Sequence, residues 1–180
     1  MSDTIIPVTE GSSGIIHEIH HRRLGPGDGL STLPGGSNGI AFPEDISNFT
    51  ASDLVYNPVD GVFTSTVDEL CVCVSYELHF VVDNSNVQNS GFSRFGVLQP
   101  IYDGASTSYV NTFGFSRFLT NWTVDPLNNS RIYANYSVVL KFIIRRAGES
   151  FYLRYFPQNA GQTNFLRNYS EVQIKTERSA

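Results

Sequence analysis

Apolar side chains occupy every second position of the segment from Leu70 to Val82, LCVCVSYELHFVV, and the positions between them are polar or small except Val81. Successive side chains of a β-strand point to opposite faces, so a strict period of two predicts a strand with one face in a core. The segment from Ile132 to Arg145 repeats the apolar set, with a mixed second face that includes Tyr133, Val139 and Ile143. Two long one-sided strands require a second layer to cover them.

Further strands separated by turns are predicted after residue 46, and no segment shows a convincing helical period. Asp103-Gly104 is a hairpin signal between two of these strands. Phe and Tyr together number 22, which suits strands. The predicted strands are Asp53–Tyr56, Gly61–Ser65, Leu70–Val82, Phe92–Tyr102, Ser108–Val124, Ile132–Arg145, Ser150–Phe156 and Glu171–Lys175. The pattern predicts an all-β protein of two sheets packed face to face.

Glycine and proline are concentrated before residue 44, in a segment that includes LGPGDGLSTLPGGSNG. This composition predicts an extended N-terminal arm or anchor over residues 1–45, followed by one head domain over residues 46–180. Short apolar patches in the arm could add as strands to a partner's sheet, and an arginine pair could meet acidic or carbonyl groups. The predicted anchor residues are Ile5, Ile6, Val8, Ile15, Ile16, Arg22 and Arg23.

Two cysteines lie on the polar face of the Leu70 strand. Cys71 and Cys73 are next neighbours on that face, about 7 Å apart, where a disulfide would need distortion. His79 is about 20 Å from Cys73 along the strand, too far for one ion. We expect two free thiols, the alternative being a site completed by neighbouring strands or symmetry-related copies.

The segment HEIHHRR is a second candidate for a metal site. His17 and His21 have the spacing of metal ligands on a helix, but the surrounding glycines disfavour a helix there. A solvated or partner-facing basic patch is the preferred interpretation, metal binding the alternative. We expect no metal and no cofactor.

The sequence contains none of the common catalytic motifs, and its four histidines leave few candidates for a general base. We therefore expect no enzymatic activity. A formal charge of −5 disfavours nucleic acid as a partner. No run of apolar residues is long enough for membrane insertion, and the first residues do not resemble a signal peptide. Five sequons, at Asn48, Asn121, Asn128, Asn135 and Asn168, are expected by chance in an Asn-rich chain, with glycosylation as the alternative.

The pentapeptide GFSRF occurs twice, at residues 91–95 and 114–118. In a strand, Arg94 shares a face with Phe92, and Arg117 shares one with Phe115. An arginine beside aromatic rings suits a carboxylate-bearing sugar or an acidic residue of a partner. The alternative is ordinary packing of the arginine stem on the ring.

Two stretches together resemble a known family. YNPVDGVFTSTVDELCVCVSYELHF, and YSVVLKFIIRRAGESFYLRY followed by SEVQIKT, are similar to strands of the globular heads of the complement-subcomponent and tumour-necrosis-factor superfamily. The likeness covers residues 50 to 176. The chain departs from the family at Asp68-Glu69-Leu70-Cys71 and in having no collagen-like stalk. The resemblance implies an antiparallel jelly-roll β-sandwich that assembles as a homotrimer.

Trimerisation would cover the mixed face of the second long strand, with Tyr133, Val139 and Ile143 as interface candidates. The apparent lack of a leader and the Gly/Pro-rich arm favour a structural virion protein. Such a capsid decoration or head-fibre protein would lie at the virion surface and hold a major capsid or other virion protein through its arm. A host-surface glycan or receptor is a further possible partner, with contacts at Arg94 and Arg117. The alternative is a secreted trimeric head that binds a ligand, receptor or glycan.

Overall fold

A computed structural model of the chain describes residues 14–33, 39–47, 53–83, 94–113, 123–125, 128–156 and 165–180. These residues form antiparallel strands in two packed sheets, which confirms the predicted all-β jelly-roll sandwich. Within these ranges there is no helix with the length and hydropathy that crossing a membrane requires.

Thirteen strands are present in the described residues. In chain order they are β1 (Ile15–Arg23), β2 (Leu30–Thr32), β3 (Glu44–Asp45), β4 (Leu54–Asn57), β5 (Val62–Ser65), β6 (Leu70–Asp83), β7 (Arg94–Tyr102), β8 (Thr107–Phe113), β9 (Thr123–Asp125), β10 (Asn128–Ile144), β11 (Ser150–Phe156), β12 (Phe165–Arg167) and β13 (Glu171–Ser179).

The larger sheet is organised around β6. On one edge β6 pairs with β10 in an unbroken register from Leu70↔Ile144 to Asp83↔Arg131. On its other edge it pairs with β13 and β12, while β13 continues to β1 and β1 to β3. The even-numbered residues of β6 from Leu70 to Phe80 are buried, as the alternation predicts.

The smaller sheet has the order β4-β5-β11-β7-β8. Its β7–β8 hairpin turns at Asp103-Gly104, as predicted. Gly104 has a φ of 95°, and the Asp103 carboxylate accepts backbone hydrogen bonds from Ala105 and Ser106 at 2.9 Å. Strand β8 ends at Phe113, earlier than the predicted Val124, and residues 114–122 lie outside the described part.

Aromatic rings fill much of the space between the sheets. Phe63 and Phe151 of the small sheet stack with centroids 5.2 Å apart, and Phe80 of the large sheet meets Phe95 edge to face at 5.7 Å. All four side chains are at most 3% exposed. Each such side chain contributes about 2 to 3 kcal/mol through burial, so the core holds the two sheets in a fixed relation.

The predicted N-terminal arm is corrected for residues 15–33 and 39–45, which belong to the sandwich. Strand β1 pairs with β13 from Ile15↔Ser179 to Arg23↔Glu171, and the contact extends to a hydrogen bond of 2.8 Å from the Ala180 N–H to the Gly14 carbonyl. The side chains of Leu33, Ile40 and Phe42 are buried in the core. An unpaired edge of β13 and three exposed apolar side chains would be costly, which explains why β1 and these three residues pack onto the head.

The predicted anchor residues divide accordingly. Ile15, Ile16, Arg22 and Arg23 are strand residues of β1. The Arg22 guanidinium lies 2.9 Å from an Asp45 carboxylate oxygen and 4.1 Å from the centroid of the Tyr56 ring, so it is used within the fold. The remaining anchor candidates, Ile5, Ile6 and Val8, lie outside the described residues.

Candidate functional site

The outward side of the large sheet, called here the large-sheet face, consists of alternate residues of β1, β13, β6 and β10. In a paired sheet, directly opposite residues form rows across the strands. One row contains Ile19, Lys175, Cys73 and Lys141. The next contains His17, Glu177, Cys71 and Ile143. The only two lysines of the chain therefore lie on either side of Cys73.

Both cysteines are free thiols and half-buried. They line a shallow cleft of about 330 Å³ whose walls carry Lys141, Lys175, Glu18 and Glu177. Ammonium and carboxylate groups thus occur together in one small space. The cleft can therefore pair with positively or negatively charged groups.

Histidine and carboxylate side chains also pair on this face. Nitrogen-to-oxygen distances are 3.4 Å for His17–Glu177, 3.1 Å for His21–Glu171 and 3.6 Å for His79–Glu77. The His79 ring also lies 2.9 Å from the Asn135 side-chain oxygen. Across the described ranges no cluster of three His, Cys, Asp or Glu side chains is placed to hold a metal ion.

The predicted trimer-interface residues share the large-sheet face. Val139 is 61% exposed and Ile143 is 45% exposed. The register places Tyr133 on the same side of β10, opposite Val81, although its side chain is not among those described. Ile15 and Ile19 of β1 are exposed on this face as well. The structure therefore places Val139 and Ile143 on one surface, which exposes apolar groups at both sides of a charged centre.

A buried ionic cluster, which the sequence pattern does not predict, lies on the inward side of β1. The Asp53 N–H donates to a Glu18 carboxylate oxygen at 2.9 Å, and the Arg178 Nε donates to Asp53 at 2.9 Å. His20 is nearby and 7% exposed, with its Nε2 3.8 Å from Glu18. Burial lowers the pKa of His20 below its usual value, although Glu18, Asp45 and Asp53 act in the opposite direction.

The outward side of β7, β8 and β11, called here the small-sheet face, has a different chemistry. Its outward residues with described side chains are Gly96, Leu98, Pro100, Tyr102, Thr107, Tyr109, Asn111, Phe113, Ser150, Tyr152, Arg154 and Phe156. None of these positions in the three strands is Asp or Glu. The face is therefore aromatic and cationic in a chain whose net charge is negative.

Arg154 lies at the centre of this face. Its guanidinium carbon is 4.9 Å from the Phe156 ring centroid, and its Nη1 donates a 3.4 Å hydrogen bond to the Asn111 side-chain oxygen. Its Nε is buried and has no hydrogen-bond acceptor among the described residues. Sequence repeats pointed instead to two other arginines. Arg94 lies opposite Phe156 in the register, with its side chain not described, and Arg117 lies outside the described residues.

Two of the five sequons have described side chains. Asn168 is engaged within the fold: its Oδ1 accepts from the Ser31 hydroxyl at 2.8 Å and its Nδ2 donates to the Pro26 carbonyl at 3.3 Å. A Cβ at Gly29 would lie only 2.5 Å from that Nδ2. Asn168 therefore has a structural use in the turn between β1 and β2, whereas Asn135 is exposed on the large-sheet face.

A second cleft, of about 660 Å³, lies between residues that include Leu24, Leu33 and Ile40 on one side and the β4–β5 turn on the other. Its lining is mainly apolar. Its one carboxylate, Asp60, accepts hydrogen bonds from the Asn57 amide and the Val62 N–H. The cleft contains none of the candidate residues from the sequence.

No protein-family model matches the chain, and no curated protein matches it in sequence. Solved structures with some likeness include murine APRIL at pH 5.0 (TM-score 0.48, 7% identity, covering 91% of this chain and 100% of that chain) and at pH 8.0 (TM-score 0.47, 9% identity, 91% and 100%). A third is Pika GITRL (TM-score 0.30, 17% identity, 86% and 94%). The jelly-roll assignment rests on the strand pairing of this chain itself.

Proposed function

We propose that the chain is the head of a homotrimer that acts outside the cell by binding a receptor or a glycan. In this proposal the large-sheet face forms the contacts between subunits. The observation that carries it is the exposure of Val139, Ile143, Ile15 and Ile19 on a single sheet face. Exposed apolar groups gathered on one surface favour association, because covering them removes them from water.

Charge supports self-association as well. The large-sheet face carries lysines at 141 and 175 and carboxylates at 77, 171 and 177, so a second copy of the chain can supply groups of the opposite sign. Closed rotational symmetry covers such a surface in every subunit without leaving an open end. The motif resemblance to complement and tumour-necrosis-factor heads implies three subunits.

In the proposed trimer the small-sheet face remains available to a partner. Tyr, Phe and Arg are enriched in protein interfaces, and all three occur among the outward positions of this face. A secreted binding head uses the two sheets for different tasks: one for assembly and one for recognition.

The capsid-decoration role predicted from the sequence depended on a free arm of 45 residues. The residues of β1, Ile15–Arg23, pair with β13 and so are not available as a free arm. No described residue favours attachment to a capsid over binding to a receptor or glycan. We therefore place the extracellular binding role first.

Sedimentation velocity on the full chain tests the assembly, and we expect a particle with three times the 20.0 kDa chain mass. Saturable binding of the labelled protein to the surface of cells, abolished by protease or glycosidase treatment of those cells, tests the role. A monomer at micromolar concentration would contradict the trimer. A trimer that binds no cell surface but attaches to virus particles would restore the capsid role.

A further inference from the structure

We infer that the small-sheet face around Arg154 is a binding site for a carboxylate-bearing sugar. This inference deepens the proposed function by naming a ligand class. It rests on that function in one respect, namely that assembly leaves this face uncovered. The cluster consists of Arg154, Asn111, Phe113, Phe156 and the floor residue Gly96.

Arg154 is the first element of the site, because its charge has no carboxylate partner among the described residues. By contrast, Arg22, Arg145 and Arg178 each lie within 2.9 Å of a carboxylate oxygen. The Arg154 stem packs on Phe156, and its Nε–H is buried without an acceptor, so a ligand would be bound through the two Nη groups. A guanidinium donates through a planar fork that matches the two oxygens of a carboxylate.

Two phenylalanine rings form the apolar part of the site. Gly96 lies directly opposite Arg154 on β7, and Phe113 lies opposite Gly96 on β8. Because Gly96 has no side chain, the Phe113 ring leans over it: a Cβ at this position would be 3.1 Å from the ring. The Phe113 and Phe156 centroids are 5.2 Å apart with their planes inclined at 60°, and Phe113 is 45% exposed. The exposed part of the Phe113 ring, beside Phe156, offers an apolar surface to the C–H groups of a sugar.

Asn111 supplies the remaining polar group. Its side-chain oxygen accepts from Arg154, while its amide nitrogen donates to no acceptor in the described part of the chain. The Asn111 amide can donate to a sugar hydroxyl, and the Arg154 guanidinium can bind the carboxylate. The two phenylalanine rings can pack against the carbons of the sugar ring. A few fixed polar groups on an apolar surface is the usual composition of a small-molecule site.

The dimensions favour a sugar acid over an acidic peptide. The key groups lie in neighbouring rows of three adjacent strands, so they span roughly 10 Å in each direction. One monosaccharide covers that area, whereas an acidic side chain would use Arg154 and leave the amide and the rings without a role. The absence of Asp and Glu from the outward positions of β7, β8 and β11 means that nothing on these strands competes for the guanidinium.

Saturation-transfer NMR on the full chain tests the site, with N-acetylneuraminic acid and glucuronic acid as probes. Their methyl esters lack the charge, and acetate and N-acetylaspartate amide carry the carboxylate without the sugar. The variants are Arg154→Gln, Arg154→Lys and Phe113→Leu. Arg146→Gln is the matched control, because Arg146 also lies beside an aromatic ring, 4.7 Å from the Tyr102 centroid, at the end of the same sheet. Thermal midpoints and sedimentation verify that each variant folds and assembles as the parent does.

We expect saturable binding of at least one sugar acid, with weaker binding of its methyl ester. Arg154→Gln and Arg154→Lys should each reduce affinity by roughly tenfold or more, and Arg146→Gln should leave it unchanged. The inference is overturned if neither sugar acid binds, if acetate or the aspartate amide binds equally well, or if Arg146→Gln causes the same loss. A folded monomer that binds the sugar acid would contradict the proposed trimer alone, and a trimer that does not bind it would contradict this inference alone.

Discussion

The two outward faces of the sandwich are built on the same β-strand period but differ in their charges. On the large-sheet face, three histidines lie beside carboxylates and two lysines flank Cys73, so both signs occur together. On the small-sheet face, arginine and aromatic residues occur without any Asp or Glu on β7, β8 or β11. The first face can complement a copy of itself, whereas the second needs a partner that brings a negative charge.

The largest expected effect comes from placing the same charge on each face. Val139 and Val55 are 61% and 59% exposed, on the large and the small sheet respectively. Val139→Asp would bury an unpaired carboxylate between subunits, which costs several kcal/mol per contact, so the trimer should dissociate. Val55→Asp should leave the trimer intact. Sedimentation at micromolar concentration measures both.

Each variant also has an outcome that would contradict the roles assigned to the two faces. If Val139→Asp remains trimeric, the large-sheet face is not the assembly surface. If Val55→Asp dissociates the trimer instead, the roles assigned to the two sheets are exchanged. Near-ultraviolet circular dichroism distinguishes dissociation from unfolding in each case.

An intermediate effect is expected from two threonines, one in each sheet. Thr176 of the large sheet is 1% exposed, and its hydroxyl has no partner among the described residues. Thr64 of the small sheet has its hydroxyl 2.8 Å from that of Ser150. Thr176→Val should therefore raise the free energy of unfolding by about 1 kcal/mol, and Thr64→Val should lower it by about 1 kcal/mol. Denaturant unfolding gives both values. If the two substitutions change the free energy of unfolding equally and in the same direction, the hydrogen-bond partners of the hydroxyls do not determine the effect.

The smallest effect concerns pH, to which the large sheet should respond through His20. Burial lowers the pKa of His20 in the folded state, so below the unfolded value of 6.5 the unfolded chain takes up a proton first. The free energy of unfolding should fall as the pH is lowered through 6.5 and be retained above it. His20→Phe, which keeps a ring against Phe63, should reduce this slope. An unchanged slope in denaturant titrations would assign the pH dependence to other groups.

Much of the fold could be predicted because many strands bury one apolar side. Alternation identified β6 and β10, β11 was predicted with its observed bounds of Ser150–Phe156, and Asp103-Gly104 gave the β7–β8 hairpin. Local pattern was sufficient in these cases because the inward positions are almost all apolar. The outward positions of β10 could also be assigned from parity alone.

Strand β1 could not be predicted in this way, because its inward side chains include Glu18, His20 and Arg22. These groups are accommodated by Asp53, Arg178 and Asp45, which are distant in sequence, and by pairing with β13 at the other end of the chain. The Arg154 cluster was missed for a related reason. Its members come from three strands, and only the register brings Asn111, Phe113 and Phe156 next to that arginine.

The hydrogen bond between Ala180 and Gly14 has a topological consequence. Residues 14 and 180 lie side by side at one end of the β1–β13 ladder. A short peptide could therefore link them in a circularly permuted chain whose new termini lie elsewhere, with every strand in its present place. The exposed turn at residues 103–106 is a natural place to open it. In a symmetric assembly the paired residues 14 and 180 of every subunit would lie at equivalent positions around the axis.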